Sequence, residues 1–271
     1  MKPKSKNESH YKVQIARIAD TEGPEKNLPD KIYHYCSLET GIEKILPFKR
    51  LLLSPLENTN DPRENRTFQF SAISPPNQID FTSNNWPERV TNLLREDCKV
   101  ICFSTNNNNQ FGYEYSRMWA YYGSNHKGFC LELDTQKFIE ENTNVVDLRF
   151  LKRVEYLKLD LKKPLKTKWV DFGRLDDIGL SKYLKEEFRQ DHLKYLYFTK
   201  DYEWESEKEC RLIYFSDIKE DEYCSINMSL TGIYTGVDFH QSYIPSLKEL
   251  APDINLYRMY YPLFRLIATP I

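Results

Sequence analysis

The strongest chemical signal in the chain is the run Trp204-Glu205-Ser206-Glu207-Lys208-Glu209-Cys210-Arg211-Leu212-Ile213. If a strand extends back through it, the two-residue period places Glu205, Glu207, Glu209 and Arg211 on one face. Cys210, Leu212 and Tyr214 then occupy the other, apolar face. Three carboxylates in a row repel, so some must be solvated or paired, and Arg211 is the natural partner for Glu209. A solvated edge with one salt bridge meets that requirement. So does a carboxylate held on a rigid strand opposite a ligand cleft and steadied by an arginine.

Four further clusters could do chemistry, and each has an ordinary structural reading beside it. In Tyr33-His34-Tyr35, His34 shares a strand face with Ile32 and Cys36, and the tyrosines point the other way. The imidazole is either a core histidine with one hydrogen bond or a group that orients a ligand hydroxyl between rings that stack. Asn60-Asp61-Pro62-Arg63-Glu64 reads as an Asx turn. It could also bring Asp61 or Arg63 to a phosphate or ribose, or Asp61 and Glu64 to a divalent cation. Cys102-Phe103-Ser104-Thr105 releases two hydroxyls at a strand end, either to cap backbone groups or to hold a ligand. In Met118-Trp119-Ala120-Tyr121-Tyr122-Gly123, Trp119 and Tyr122 share a helix face, to pack in the core or to stack on a ligand. No Ser-His-Asp order and no nucleophile elbow accompanies them.

The elements that must position these residues follow from periodicity and breakers. Lys31 to Cys36 is a short aromatic strand, Ser37 caps a helix carrying Leu38, Ile42, Ile45 and Leu46, and Pro47 ends it. Leu51–Leu53 is a second strand. Glu88 to Asp97 predicts a helix, Lys99 to Ser104 a strand, Asn106–Asn109 a loop, and Ser116 to Tyr122 a helix ended by Gly123. Gly128 to Leu133 predicts a strand with Phe129, Leu131 and Leu133 on one face, and Val154–Leu157 another. Leu180 to Phe198 is the longest predicted helix, with Leu184, Phe188, His192 and Tyr195 along one stripe. Glu209 to Phe215 and Gly232 to Val237 close the pattern as strands. Short aromatic strands interleaved with helices favour a mixed, largely antiparallel α+β sheet over a doubly wound parallel one. The reading is a polar arm over residues 1–29 followed by one α+β domain over 30–271.

Composition narrows the setting. The formal charge of −2 supplies no global attraction for nucleic acid, although 38 Lys and Arg leave room for a local patch. No run of about 18 apolar residues exists, and the start lacks a signal peptide's apolar core, so a cytoplasmic protein with no membrane role is expected. The six cysteines show no metal-ligand spacing and read as free buried thiols.

Taken in order, these segments resemble a bacterial family known as domain of unknown function 2971. Its pattern is met by Tyr33-His34-Tyr35, Asn60 to Glu64, Cys102 to Ser104, Met118 to Tyr122, Glu207 to Arg211 and Gly232 to Gly236. Cys210 and Ser206 depart from it, standing where aromatic residues are usual. More distantly, a His on the first strand, a Ser/Tyr element midway and a Glu on a late strand resemble the ADP-ribosyltransferase fold. That resemblance implies a split antiparallel sheet with flanking helices that holds NAD, as a substrate and without a metal. It implies Glu209 and Glu207 as catalytic carboxylates, and an NAD site drawing on His34, Tyr35, Asn60, Asp61, Ser104, Trp119, Tyr121, Tyr122 and Arg211. His34 would bond a ribose, Ser104 support the cleft, and Tyr122 or Tyr121 stack on the nicotinamide. The implied activity is mono-ADP-ribosylation of a nucleic acid or protein, as an intracellular toxin or phage-defence effector with an antitoxin or regulatory partner. Two other readings stand beside it: a non-catalytic nucleotide- or partner-binding module of the same fold, and a metal-dependent hydrolase or nuclease built on Asp61, Glu64 and the later glutamates.

Overall fold

Period-two alternation builds the centre of the molecule, described here from a computed structural model. Residues 28–62, 64, 66–72, 85–147, 150–158, 168–263 and 265–271 are described. The strands in chain order are β1 (Lys31–Cys36), β2 (Arg50–Leu52), β3 (Ser54–Pro55), β4 (Phe70–Ala72), β5 (Cys98–Thr105), β6 (Phe129–Asp134), β7 (Leu151–Arg153) and β8 (Glu155–Leu157). They continue as β9 (Lys168–Val170), β10 (Thr199–Asp201), β11 (Glu209–Phe215), β12 (Tyr223–Ser225), β13 (Leu230–Thr235), β14 (Asn255–Tyr260) and β15 (Ile267–Pro270). Nine form one open sheet in the order β15-β14-β13-β6-β1-β5-β11-β7, with β3 on β5. Every pairing in it is antiparallel except β13 with β14. The helices that matter to the site are α1 (Trp86–Arg95) and α2 (Ser116–Tyr121). The protein is therefore α+β with a mixed, mostly antiparallel sheet, as the aromatic strands predicted.

The sheet is continuous on one side of β1 and barely joined on the other. β1 meets β6 over six residue pairs from Lys31↔Asp134 to Cys36↔Phe129. It meets β5 only at Ile32↔Thr105 and Tyr33↔Ser104. Past Tyr33 the two strands part, and the Cys102 carbonyl of β5 accepts instead from His34 Nδ1 at 3.1 Å.

Alternation assigns the faces. Ile32 and Cys36 join Phe129, Leu131, Leu133, Phe103 and Leu212 in one core. Tyr33 and Tyr35 belong to a second, with Met118 and Trp119 of α2. A third core, under α1 and the helical stretch after Phe172, covers Val100 and Ile213.

Three local expectations are corrected. The predicted helix 180–198 is interrupted by a π-helical segment, Tyr183–Phe188, and by a break at His192 with φ −127. The wider π turn shifts the phase, so the buried side chains after Phe188 are Arg189, Leu193, Leu196, Tyr197 and Phe198, while His192 and Tyr195 stay half-buried. The two-residue period does not reach back through Glu205 and Glu207, because Tyr202–Glu207 is 3-10 helix and the strand begins only at Glu209. Gly123 does end α2, its N–H donating to the Met118 carbonyl, but the left-handed backbone falls on Ser124, Asn125 and His126. The proposed arm lies mostly in residues 1–27, outside the described residues, whereas Leu28 packs against the main core.

Candidate functional site

Where β1 and β5 part there is a cavity of about 280 Å³, at the lower end of the size of ligand clefts. Tyr33, His34 and Tyr35 of β1 line it, with Cys102, Phe103 and Ser104 of β5 and Tyr122 following α2. Its exposed lining residues, Leu52, Pro55, Asn58 and Asn60, mark the mouth. Its buried polar residues, Lys200, Glu207 and Glu209, mark the floor.

The floor is assembled by a short 3-10 turn feeding a strand. Lys208 takes φ 46, a left-handed conformation that costs a lysine on the order of 1 kcal/mol or more. Its carbonyl is held by the Thr105 N–H at 3.0 Å and Thr105 Oγ1 at 2.9 Å. This turn brings Glu207 and Glu209 onto one ammonium, with Lys200 Nζ 2.8 Å from Glu207 Oε2 and 2.7 Å from Glu209 Oε2. β10 supplies Lys200 and pairs in parallel with β8, whose Tyr156 hydroxyl accepts the Glu209 N–H at 2.8 Å.

The two carboxylates have opposite electrostatics. Burial alone would push Glu209 up, but Arg211 and Lys200 override it and hold the carboxyl at about 2. Arg211 grips it twice, Nε to Oε1 at 2.5 Å and Nη2 to Oε2 at 3.2 Å. The Cys102 thiol bonds to the same carboxylate. Glu207 is raised above the ordinary carboxylate range by burial, with only partial relief from Lys200. Its Oε1 accepts the Tyr122 hydroxyl at 2.8 Å, and Tyr122 in turn bonds to the Asn60 side chain. Lys200 is held protonated by Glu209 and Glu207 against the effect of burial.

His34 is lowered by burial, so its ring is neutral near pH 7. A carbonyl only accepts, so the bond to Cys102 fixes the proton on Nδ1 and makes Nε2 an acceptor. Ser104 Oγ is buried in the cavity wall and has no hydrogen-bond partner among the described residues. An unpaired buried hydroxyl is costly unless a ligand or water completes it. The cavity thus offers two fixed charges of opposite sign, Glu209 and Lys200, one protonatable carboxylate, one neutral acceptor and one hydroxyl seeking a partner.

The expected site residues thus divide. His34, Tyr35, Asn60, Ser104, Tyr122, Glu207 and Glu209 come together around the cavity. Trp119 does not: it is wholly buried and its indole N–H donates to the Tyr113 carbonyl, which makes it a packing residue. Tyr121 is two-thirds exposed on the outer side of α2 and does not line the cavity. Arg211 is fully buried behind Glu209, with its donors taken by Glu209, Glu64 and the Tyr197 carbonyl, so no ligand in the cavity meets it. Asp61 is buried beneath the mouth loop, outside the lining, and Arg63 lies outside the described residues. Glu64 is engaged by Arg211, and no cluster of three metal-binding side chains occurs among the described residues.

Lys200 is the main residue that sequence reasoning missed. Nothing local marks it, since it follows the helical stretch by two residues and looks like any surface lysine. Only the demand that closely spaced glutamates find cations points to it.

Fold and floor together define an α+β protein with a ligand-sized cleft over a buried, charge-paired glutamate couple. The family model described as "Protein of unknown function (DUF2971)" matches residues 118–212, which include Tyr122, Lys200, Glu207, Glu209 and Arg211. That stretch is similar to domain of unknown function 2971, and it holds two of the six ordered motifs, Met118 to Tyr122 and Glu207 to Arg211. No curated protein and no solved structure matches the chain. No helix among the described residues is long and apolar enough to cross a membrane.

Proposed function

We propose that this protein is a mono-ADP-ribosyltransferase that moves ADP-ribose from NAD to a macromolecular acceptor, nucleic acid or protein. The observation that carries the reading is the meeting of His34, Tyr122, Glu207 and Glu209 on one cavity, at the place where the sheet splits. The volume suits a nicotinamide with its ribose and leaves the rest of the dinucleotide outside the mouth. Two polar atoms fit such a ligand: Ser104 Oγ, unpaired and buried, and His34 Nε2, an acceptor for a ribose hydroxyl. The rings of Tyr122, Tyr33 and Tyr35 offer aromatic surface to a cationic nicotinamide.

The reaction assigns a separate task to each carboxylate. The nicotinamide–ribose bond breaks with its electron pair going to nicotinamide, which leaves neutral, and the ribose becomes oxocarbenium-like. Glu209 is permanently ionised and rigidly held, and its field opposes that developing charge. The acceptor nucleophile then bonds to the anomeric carbon and must lose a proton. Glu207, raised above its ordinary value by burial and next to Glu209, is the group to take it. Two neighbouring acids pushed apart in pKa are a recognised sign of such a division.

Six free cysteines, five of them buried, suit a reducing cytoplasm, where a toxin or defence effector with an antitoxin partner would act. Incubation with radiolabelled NAD and cell extract is expected to label a macromolecule, with the label lost in Glu209→Gln. Equal labelling by wild type and variant refutes the assignment.

A further inference from the structure

We infer that Glu64, remote in sequence and outside the cavity, is a positioning residue that sets the Glu209 carboxylate through Arg211. This inference rests on the transferase reading of the cavity.

Arg211 is fully buried and presents its guanidinium edge-on to Glu209, through Nε and Nη2. Its remaining Nη1 is bound by Glu64 Oε1 and by the Tyr197 carbonyl at 3.0 Å. The guanidinium is planar, so fixing Nη1 fixes the rotation of the whole fork and the plane in which Glu209 is gripped. Glu64 is an unexpected choice for a merely structural role. Glu207 and Glu209 are already balanced by Lys200 and Arg211, two charges against two, and Glu64 adds a third buried carboxylate. Arg95 also acts on Glu64, while it donates to the Arg66 carbonyl and lies over the Phe68 ring. Glu64 Oε2 is buried with no hydrogen bond among the described residues. A buried carboxylate with one oxygen unsatisfied is poor stabilisation, and what it does provide is a fixed direction for Nη1.

Glu64 also ties this fork to the cavity mouth. The same short loop carries Asn60, which lines the mouth and bonds to Tyr122, the donor to Glu207. Asn60 reaches the carboxylate pair from the mouth through Tyr122, and Glu64 reaches it from behind through Arg211. Ligand contact at Asn60 is thereby linked through four residues of chain to the group that aims Glu209.

The test uses the full chain carrying Glu64→Gln, which keeps the shape and removes the charge. Two readouts are taken: the NAD-dependent transfer rate, and the nuclear magnetic resonance of the Arg211 Nε–H, assigned with Arg211→Lys. The expected result is a kcat lower by about 10- to 100-fold with KM for NAD unchanged, as for other groups that orient a catalytic ligand. The Nε–H resonance moves and gains exchange with solvent. If Glu64→Gln fails to fold, Glu64→Asp withdraws the carboxylate by one methylene while keeping its charge, and the same two changes are expected. An unmoved resonance, or an unchanged kcat, overturns the inference. A wild-type protein that transfers nothing refutes the transferase reading instead, and the Arg211 resonance still decides whether Glu64 aims the fork.

Discussion

Replacing Lys200 with methionine is the sharpest perturbation of this site, because one ammonium serves two buried carboxylates. Glu209 keeps the two-pronged grip of Arg211, but Glu207 keeps only the Tyr122 hydroxyl. At the 2.8 Å of the Lys200–Glu207 contact and an effective dielectric near 20, the lost attraction is about 6 kcal/mol before relaxation. Removing one partner of a buried pair generally costs about 3–5 kcal/mol, and that range is expected at pH 8. The loss must depend on pH in one direction. Glu207 is already raised in the folded state, and without Lys200 it rises further, above its ordinary 4.5. An acid whose folded pKa exceeds its unfolded one binds more protons when folded, so stability falls as pH rises between those two values. The Glu207 share of the penalty is therefore complete above the folded pKa and fades toward pH 4.5, with a limiting slope of about 1.4 kcal/mol per pH unit, while the share from the lost Lys200–Glu209 contact persists there because Glu209 is still ionised. Urea denaturation of wild type and Lys200→Met at pH 5 and pH 8 measures it. A difference that is small, or the same at both pH values, refutes the account of the floor as a charge-paired network.

Two more outcomes follow from the same groups. Glu209 is depressed from 4.5 to about 2, so its contribution, about 3 kcal/mol, is present above pH 4.5 and lost as pH falls toward 2; Glu209→Gln should flatten that acid limb in denaturation curves, and an unaltered limb shows the pairing with Arg211 to be weak. His34 is neutral near pH 7 with its proton on Nδ1, so NAD affinity by calorimetry is expected to be level from pH 7 to 9 and to weaken only below pH 6.5; a histidine that must be charged to bind would show affinity falling as pH rises through that range.

Strand content was legible because alternation is a local property. The apolar faces of β1, β5, β6 and β11 follow directly from residues such as Ile32 and Cys36, or Phe129, Leu131 and Leu133. The helix after Leu180 was misjudged because a π turn changes the period without changing composition. Glu205 was grouped with Glu207 and Glu209 because nothing in the letters reveals that Lys208 turns left-handed.

By itself the sequence determined the α+β class, the strand faces, the pairing of Glu209 with Arg211 and the motifs that carry the family resemblance. Each depends on neighbours within a few residues, or on a pattern of types in order. Only the tertiary structure decided that β1 and β5 pair for two residues and then part, which makes the cavity. It alone set Lys200 between the two glutamates, moved Trp119, Tyr121, Asp61 and Arg211 away from the lining, and placed Glu64 behind Arg211, 147 residues distant. Buried ions must find partners wherever the fold offers them, and that requirement acts through space and leaves no local trace along the chain.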